Sequence, residues 1–300
     1  MKNKIIYIVL SILFITTVLI CSICIRKIYI QKIIPVNKKI AIYEKYKKEE
    51  EKLDKKLNKE INKSKKIQKI TRSNQKQREK LEKTLNEYQV KYSSKVIYLT
   101  FDDGPSIYTM DILNTLDKYN VKATFFVTCS DNLEELSKEI IKRGHTIALH
   151  TCTHKYSYVY SNEDSYFQDL NSISNLVEKY TGVKSKYVRF PGGSSNTVSR
   201  AYNRGIITRL SSMLTEKGYK YYDWNIDSND AGGANSEQEY ANVIGALQNN
   251  DRDINMVLMH DVKVSTRDAL DGIIKDALNL GYTFSNINDY TKEVHHSINN

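Results

Sequence analysis

The chain has 300 residues, 45 Lys and Arg against 35 Asp and Glu, a formal net charge of +10, and four cysteines. That length holds one large domain with accessories or two ordinary domains, and so few cysteines exclude a dense disulfide scaffold. Nine of the ten net positive charges fall between positions 38 and 90, where 18 basic residues face 9 acidic ones; no aromatic base-stacking module accompanies them, which argues against nucleic acid and for anionic lipid or an anionic wall polymer.

Positions 5–25 (IIYIVLSILFITTVLICSICI) form an uncharged run long enough to span a hydrocarbon core as a helix. Lys2 and Lys4 precede it and Arg26 and Lys27 follow. A cleavable signal has a shorter apolar core and small residues at its cleavage site, so residues 1–27 read as an uncleaved membrane anchor. Ile20 before Cys21 and Ile23 before Cys24 are too bulky for lipoprotein processing. The flanking charges do not settle the orientation of the span.

Residues 28–90 read as a basic helical stalk or a solvated charged linker. Between Lys38 and Val90 there is no Gly or Pro. A heptad seam on Tyr46, Leu53, Ile67, Leu81 and Tyr88 is filled at both ends but broken in the middle by Glu60 and Asn74. A fully helical stalk extends up to about 80 Å at ~1.5 Å per residue, and stalk-mediated homo-oligomers are compatible with the pattern.

From 91 to 300 short apolar runs alternate with amphipathic segments. The strand candidates are 97–101, 123–128, 146–151, 187–190, 219–224, 256–260 and 282–287. Seven such runs with helices between them predict an α/β fold with a parallel sheet, a closed or nearly closed barrel. No Gly-rich phosphate loop follows the first strand. In a barrel the carboxyl ends of the strands share one rim, which gathers Asp102 and Asp103, His150 and His154, Arg189 and Pro191, Asp223 and Trp224, and His260.

In TFDDGP (100–105) two adjacent carboxylates stand in a tight turn and call for a nearby cation. HTCTH (150–154) spaces two imidazoles four apart, the spacing of one face of a helical turn. With one carboxylate they make a two-His-one-Asp metal site with open positions. Thr151 stands where a metalloprotease needs Glu. By itself the pair fits hydrogen-bonded histidines as well as it fits a metal. Cys129 and Cys152 read as buried free thiols, with a bridge between them as the alternative.

Taken together, TFDDGP, HTCTH, RFPGGS, DW and LMH, in that order, make residues 92–290 resemble the metal-dependent polysaccharide deacetylases of carbohydrate esterase family four. The resemblance implies a distorted (β/α)7 barrel that hydrolyses acetyl groups on a glycan. It implies Asp103, His150 and His154 as ligands of a divalent metal, zinc by default, with cobalt or iron feasible. It implies Asp102 as catalytic base, Arg189 as its orienting partner, and His260 as general acid held charged by Asp223. The metal and the Gly192 N–H, in the turn that Pro191 shapes, serve the oxyanion; many relatives carry Tyr where this chain has Gly192, so an aromatic wall is missing. Trp224 and Leu258 wall the acetyl pocket, although core packing accounts for both equally well. Asp227, Asp230 and Asp261 read as turn or helix-start residues, and the Tyr-rich loop after His154 offers rings for stacking on sugars. The expected substrate is N-acetylglucosamine of peptidoglycan, with chitin oligomers, poly-N-acetylglucosamine or acetylxylan as rivals and a silent glycan-binding scaffold as the non-enzymatic alternative. Anchor, stalk and catalytic domain together imply a single-pass protein of the cell membrane with its catalytic domain extracellular.

Overall fold

The computed structural model describes residues 10–23, 36–92, 95–249 and 252–300. The chain divides into two compact units, Met1–Thr84 and Leu85–Asn300. Positions 10–23 are helical (α1), and one helix of 57 residues, α2, runs Val36–Tyr92. Without Gly or Pro nothing interrupts it, and pairs such as Glu60–Lys63 and Arg78–Glu82 lie one turn apart. Ile70 and Leu81 stand exposed. Among the described residues no helix is long and apolar enough to cross a membrane; of the uncharged run 5–25, positions 5–9, 24 and 25 lie outside them.

In the second unit β1 (Val96–Asp102) is buried along its whole length at the centre of a parallel sheet. On one side follow β2 (Thr124–Val127), β3 (Thr146–Leu149), β4 (Tyr187–Val188) and β5 (Lys220–Tyr221). On the other lie β7 (Ile254–His260) and then β6 (Ile226–Asp227), while β8 (Thr283–Phe284) pairs with the first residues of β1. The connecting helices are α3 (Thr109–Lys118), α4 (Leu133–Lys142), α5 (Tyr156–Val159), α6 (Glu163–Thr181), α7 (Ile206–Glu216), α8 (Ser236–Gln248) and α9 (Val264–Asn279). Their ends follow local chemistry: Asn162 caps α6, which stops at Gly182 in the left-handed region (φ 71°), and Asn235 with Gln238 forms a capping box on α8.

One departure from the sequence reading bears on the site. The strand expected over 219–224 ends at Tyr221, and the chain crosses to form β6 beside β7, where Asn225 N donates to Met256 O and Asn225 Oδ1 accepts from Met256 N. Among the described residues no ladder joins β5 to β6, and the sheet is a half-barrel of parallel strands, consistent with the distorted (β/α)7 barrel expected. The C-terminal tail occupies the β5 side instead. Asp223 N donates to Val294 O at 2.7 Å, Tyr222 Oη to Thr291 O at 3.1 Å, and the His295 ring stacks on Tyr221 at 3.8 Å.

Side chains of a strand alternate between its faces. Ile97, Leu99 and Phe101 of β1 join the large core shared with the helices, while Val96 and Tyr98 face a smaller inner cluster with Phe126, Ala148, Tyr222 and Met256. Continuing that alternation places Asp102, His150 and His260 on the inner face. The parallel register aligns them, since Asp102 lies opposite both Phe126 and His260.

Candidate metal and catalytic site

Asp102 is buried, and its Oδ1 accepts from Arg189 Nη1 at 2.7 Å. Arg189 is wholly buried and spends four of its five N–H donors here: it also donates to Thr100 Oγ1 (2.8 Å), Tyr222 O (2.9 Å) and Asp223 O (2.9 Å), with its guanidinium over the Phe126 ring. A buried ion pair of this kind fixes its acid in one orientation. Burial pushes the Asp102 carboxyl above the ordinary carboxylate range, and Arg189 pulls it back.

Asp103 turns the other way because its backbone sits in the left-handed region at φ 73°. Its Oδ1 is buried without a hydrogen-bond donor and lies 3.5 Å from His150 Nε2 and 3.4 Å from His154 Nε2. Three donors bound at about 2.0–2.1 Å to one tetrahedral ion lie about 3.4 Å apart, so the spacing fits a small divalent cation. The tautomer fits as well. His150 Nδ1 donates to Arg189 O at 2.9 Å, which leaves the Nε2 lone pair facing the cluster. Burial lowers the His150 pKa to about 3 and keeps the ring neutral, as a ligand requires.

The four-residue spacing works differently from the helical turn expected. Residues 150–154 are an irregular loop with Thr151 at φ 63° and His154 at φ 51°. It is held from two sides. Asp169 Oδ1 accepts from the N–H groups of Cys152 (2.6 Å) and Thr153 (3.0 Å), and Cys152 is bridged to Cys129 with a Cα–Cα distance of 4.6 Å. The reading of two free thiols is corrected: the β2–β3 register brings the two post-strand segments together, and Cys129 N donates to Cys152 O.

His260 points toward the same cluster, with Nε2 4.0 Å from Asp103 Oδ2. Its partner is Asp230 and not Asp223. Asp230 Oδ1 lies 2.8 Å from His260 Nδ1, and Oδ2 accepts from His260 N at 2.6 Å. β6 pairs Asp227 with Leu258, which brings residue 230 level with residue 260. Asp223 faces away, accepting from Ser194 N and Oγ and from His296 N. Burial alone depresses an imidazole, but the Asp230 hydrogen bond and the charges of Asp102, Asp230 and Asp103 outweigh it and raise His260 to about 9.

A raised histidine pKa contributes stability that is fully present below 6.5 and is lost as pH rises through about 9. In the metal-free protein, Asp230→Asn therefore moves the His260 titration, followed by NMR of the ring protons, down toward 6.5. An unchanged titration contradicts the pairing.

Pro191 O accepts from Tyr160 Oη at 2.7 Å, and Gly192 lies exposed at φ 74°. A Cβ at Gly192 would meet the Tyr156 hydroxyl at 2.6 Å. Tyr156, from the Tyr-rich loop, thus fills the space beside Gly192 and sets its ring edge-on to His154 at 5.5 Å. Trp224 is partly buried, with the Arg189 guanidinium over its ring at 5.6 Å and the His296 ring against it at 4.7 Å. Leu258 is buried, opposite Thr100 in the ladder. Gly104 is irreplaceable for a close approach: its Cβ would lie 2.1 Å from both carboxylate oxygens of buried Asp261. Gly104→Ala is expected to cost about 1–3 kcal/mol, read as a lower urea midpoint.

Sequence reasoning took Asp230 for a turn or helix-start residue and missed its pairing with His260, Tyr156 as a neighbour of Gly192, and His296. Only Asp230 left a usable signal, the short apolar approach through Ile226 to an Asp pair at 227 and 230.

The polysaccharide deacetylase family profile matches residues 89–206. The chain is 33% identical over 207 residues to a putative polysaccharide deacetylase, YheN, of Bacillus subtilis, covering 67% of this chain and 70% of that protein. It is 33% identical over 215 residues to a peptidoglycan-N-acetylglucosamine deacetylase of Bacillus cereus, covering 68% and 72%. Among solved structures, the catalytic domain of peptidoglycan N-acetylglucosamine deacetylase from Eubacterium rectale superposes with a TM-score of 0.67 at 44% identity, covering 69% of this chain and 94% of that one. The chain belongs to the polysaccharide deacetylase family.

Proposed function

We propose that the protein removes the N-acetyl group from N-acetylglucosamine of peptidoglycan, using a divalent metal, zinc by preference, held by Asp103, His150 and His154. The observation that carries this reading is the unpartnered Asp103 Oδ1 set at ligand spacing from two imidazole nitrogens. A bound cation there supplies Lewis acidity toward water and the acetyl carbonyl. Asp102, oriented by Arg189, takes the proton of the attacking water at Oδ2, which lies 3.6 Å from His150 Nε2. The Gly192 N–H steadies the negative charge that develops on the carbonyl oxygen. The C–N bond then breaks as His260 Nε2 passes its proton to the leaving amine, releasing acetate and a glucosamine residue; Asp230 keeps that proton in place until then.

The anchor and stalk complete the proposal. Outward-facing Leu13 and Phe14 in α1 suit insertion in lipid, and the basic α2 suits an anionic surface. We place the catalytic unit outside a single-pass anchor, with α2 as the spacer and the element through which copies would meet as a coiled coil. The test is acetate release by the full chain from peptidoglycan, chitin oligomers and acetylxylan, each with and without chelator. Chelator-sensitive release greatest from peptidoglycan supports the reading, greater release from another glycan moves the substrate, and none from any identifies a scaffold.

A further inference from the structure

The hydrogen-bond chain behind His260 continues past Asp230. Thr266, wholly buried in the first turn of α9, has its hydroxyl 2.8 Å from Asp230 Oδ2 and 3.0 Å from Glu239 Oε2. Glu239 stands in the first turn of α8, whose start is fixed by the Asn235–Gln238 capping box. It is fully buried, and its Oε1 has no hydrogen-bond partner.

Proton counting decides how these groups are arranged. A hydroxyl carries one proton and donates to one acceptor at a time. Asp230 accepts from His260 N, His260 Nδ1 and Ala231 N, so it is the ionised member facing the imidazolium. Were Glu239 ionised as well, two buried anions would draw on the one Thr266 proton and Glu239 would depend on the Ser265 hydroxyl, which is costly in a low-dielectric interior. We propose that Glu239 is held as a neutral carboxylic acid whose Oε2–H donates to Thr266 Oγ1, which in turn donates to Asp230 Oδ2. Glu239 is thus a positioning residue: it orients Asp230 and leaves one negative charge, not two, behind His260.

Burial raises the Glu239 carboxyl above its ordinary range, and the charge of Asp230 adds to that rise. The hydroxyls of Ser265 and Thr266 and the positive charge of His260 oppose it without reversing it. The functional consequence rests on the reading of His260 as the acid; the protonation state does not.

Infrared difference spectroscopy of the metal-loaded full chain, wild type minus Glu239→Gln at neutral pH, reads the state directly. A carboxylic-acid carbonyl band present in wild type and absent from the variant is expected. In acetate-release kinetics Glu239→Gln, whose amide still donates to Thr266, keeps at least about half the wild-type kcat, whereas Glu239→Leu and Thr266→Val lose about tenfold in kcat at constant KM. A wild-type spectrum without the band overturns the proposal, as does a Gln variant as slow as the Leu variant. The band is legible whether or not acetate is released, so its presence with kinetics indifferent to Glu239→Leu and Thr266→Val overturns the positioning role while leaving the protonation state standing.

Discussion

Asp102→Asn lowers kcat for acetate release by about 10²–10⁴-fold while metal content stays at one ion per chain. The substitution is nearly isosteric and keeps an oxygen for Arg189 Nη1, but an amide cannot take the proton of the attacking water at the position of Oδ2. It has a second effect that must be separated from the first. Arg189 is wholly buried and donates at 2.7 Å to Asp102, so removing the anion leaves a buried cation uncompensated, which typically costs about 3–5 kcal/mol of stability. Thr100, Tyr222 and Asp223 still accept from the guanidinium and limit that loss. The variant is therefore expected to melt earlier, yet to be folded at the assay temperature and to bind metal. An Asn variant that binds metal and keeps the wild-type kcat removes Asp102 from the reaction.

His154→Ala reduces acetate release to background, and chelation of the wild type does the same reversibly. His154 is the cleaner ligand to remove. Its side chain is about a third exposed, whereas that of His150 is buried and donates to Arg189 O. Truncating His150 opens a cavity and orphans that carbonyl; truncating His154 removes a ligand and little else. The expected result is a cooperatively folding His154→Ala protein with a weakened metal affinity by calorimetric titration and no chelator-sensitive activity. Zinc or cobalt added after dialysis restores the chelated wild type but not the variant. Wild-type metal affinity in His154→Ala removes that residue from the ligand set.

Much of the site is legible in sequence because strand periodicity places it. Asp102, His150 and His260 follow apolar runs whose alternation sends them to one face, and the five motifs fall on strand ends that a parallel sheet aligns. The elements that were not legible depend on long-range geometry. The turn after Tyr221 that carries the chain across to β6 is held by Asn225 bonding Met256 and not by any local breaker, so the fifth run, 219–224, reads as continuous and Asp223 takes the place that Asp230 holds. The Cys129–Cys152 bridge arises from sheet register together with the positive-φ residue Thr151, neither visible in spacing. The tail over residues 291–296 that lies against Tyr221, Tyr222 and Asp223 gives no strand signal in its polar composition. Over 38–90 the absence of Gly and Pro permits a helix but leaves a solvated charged linker equally open, and the helix Val36–Tyr92 decides between them.

The most direct test is mass spectrometry of muropeptides from purified peptidoglycan incubated with the metal-loaded full chain. We predict muropeptides lighter by one acetyl group on the glucosamine residue, formed by the wild type and absent with His154→Ala. Unaltered muropeptides from a protein shown to carry its metal, or equal deacetylation by both proteins, would contradict this account.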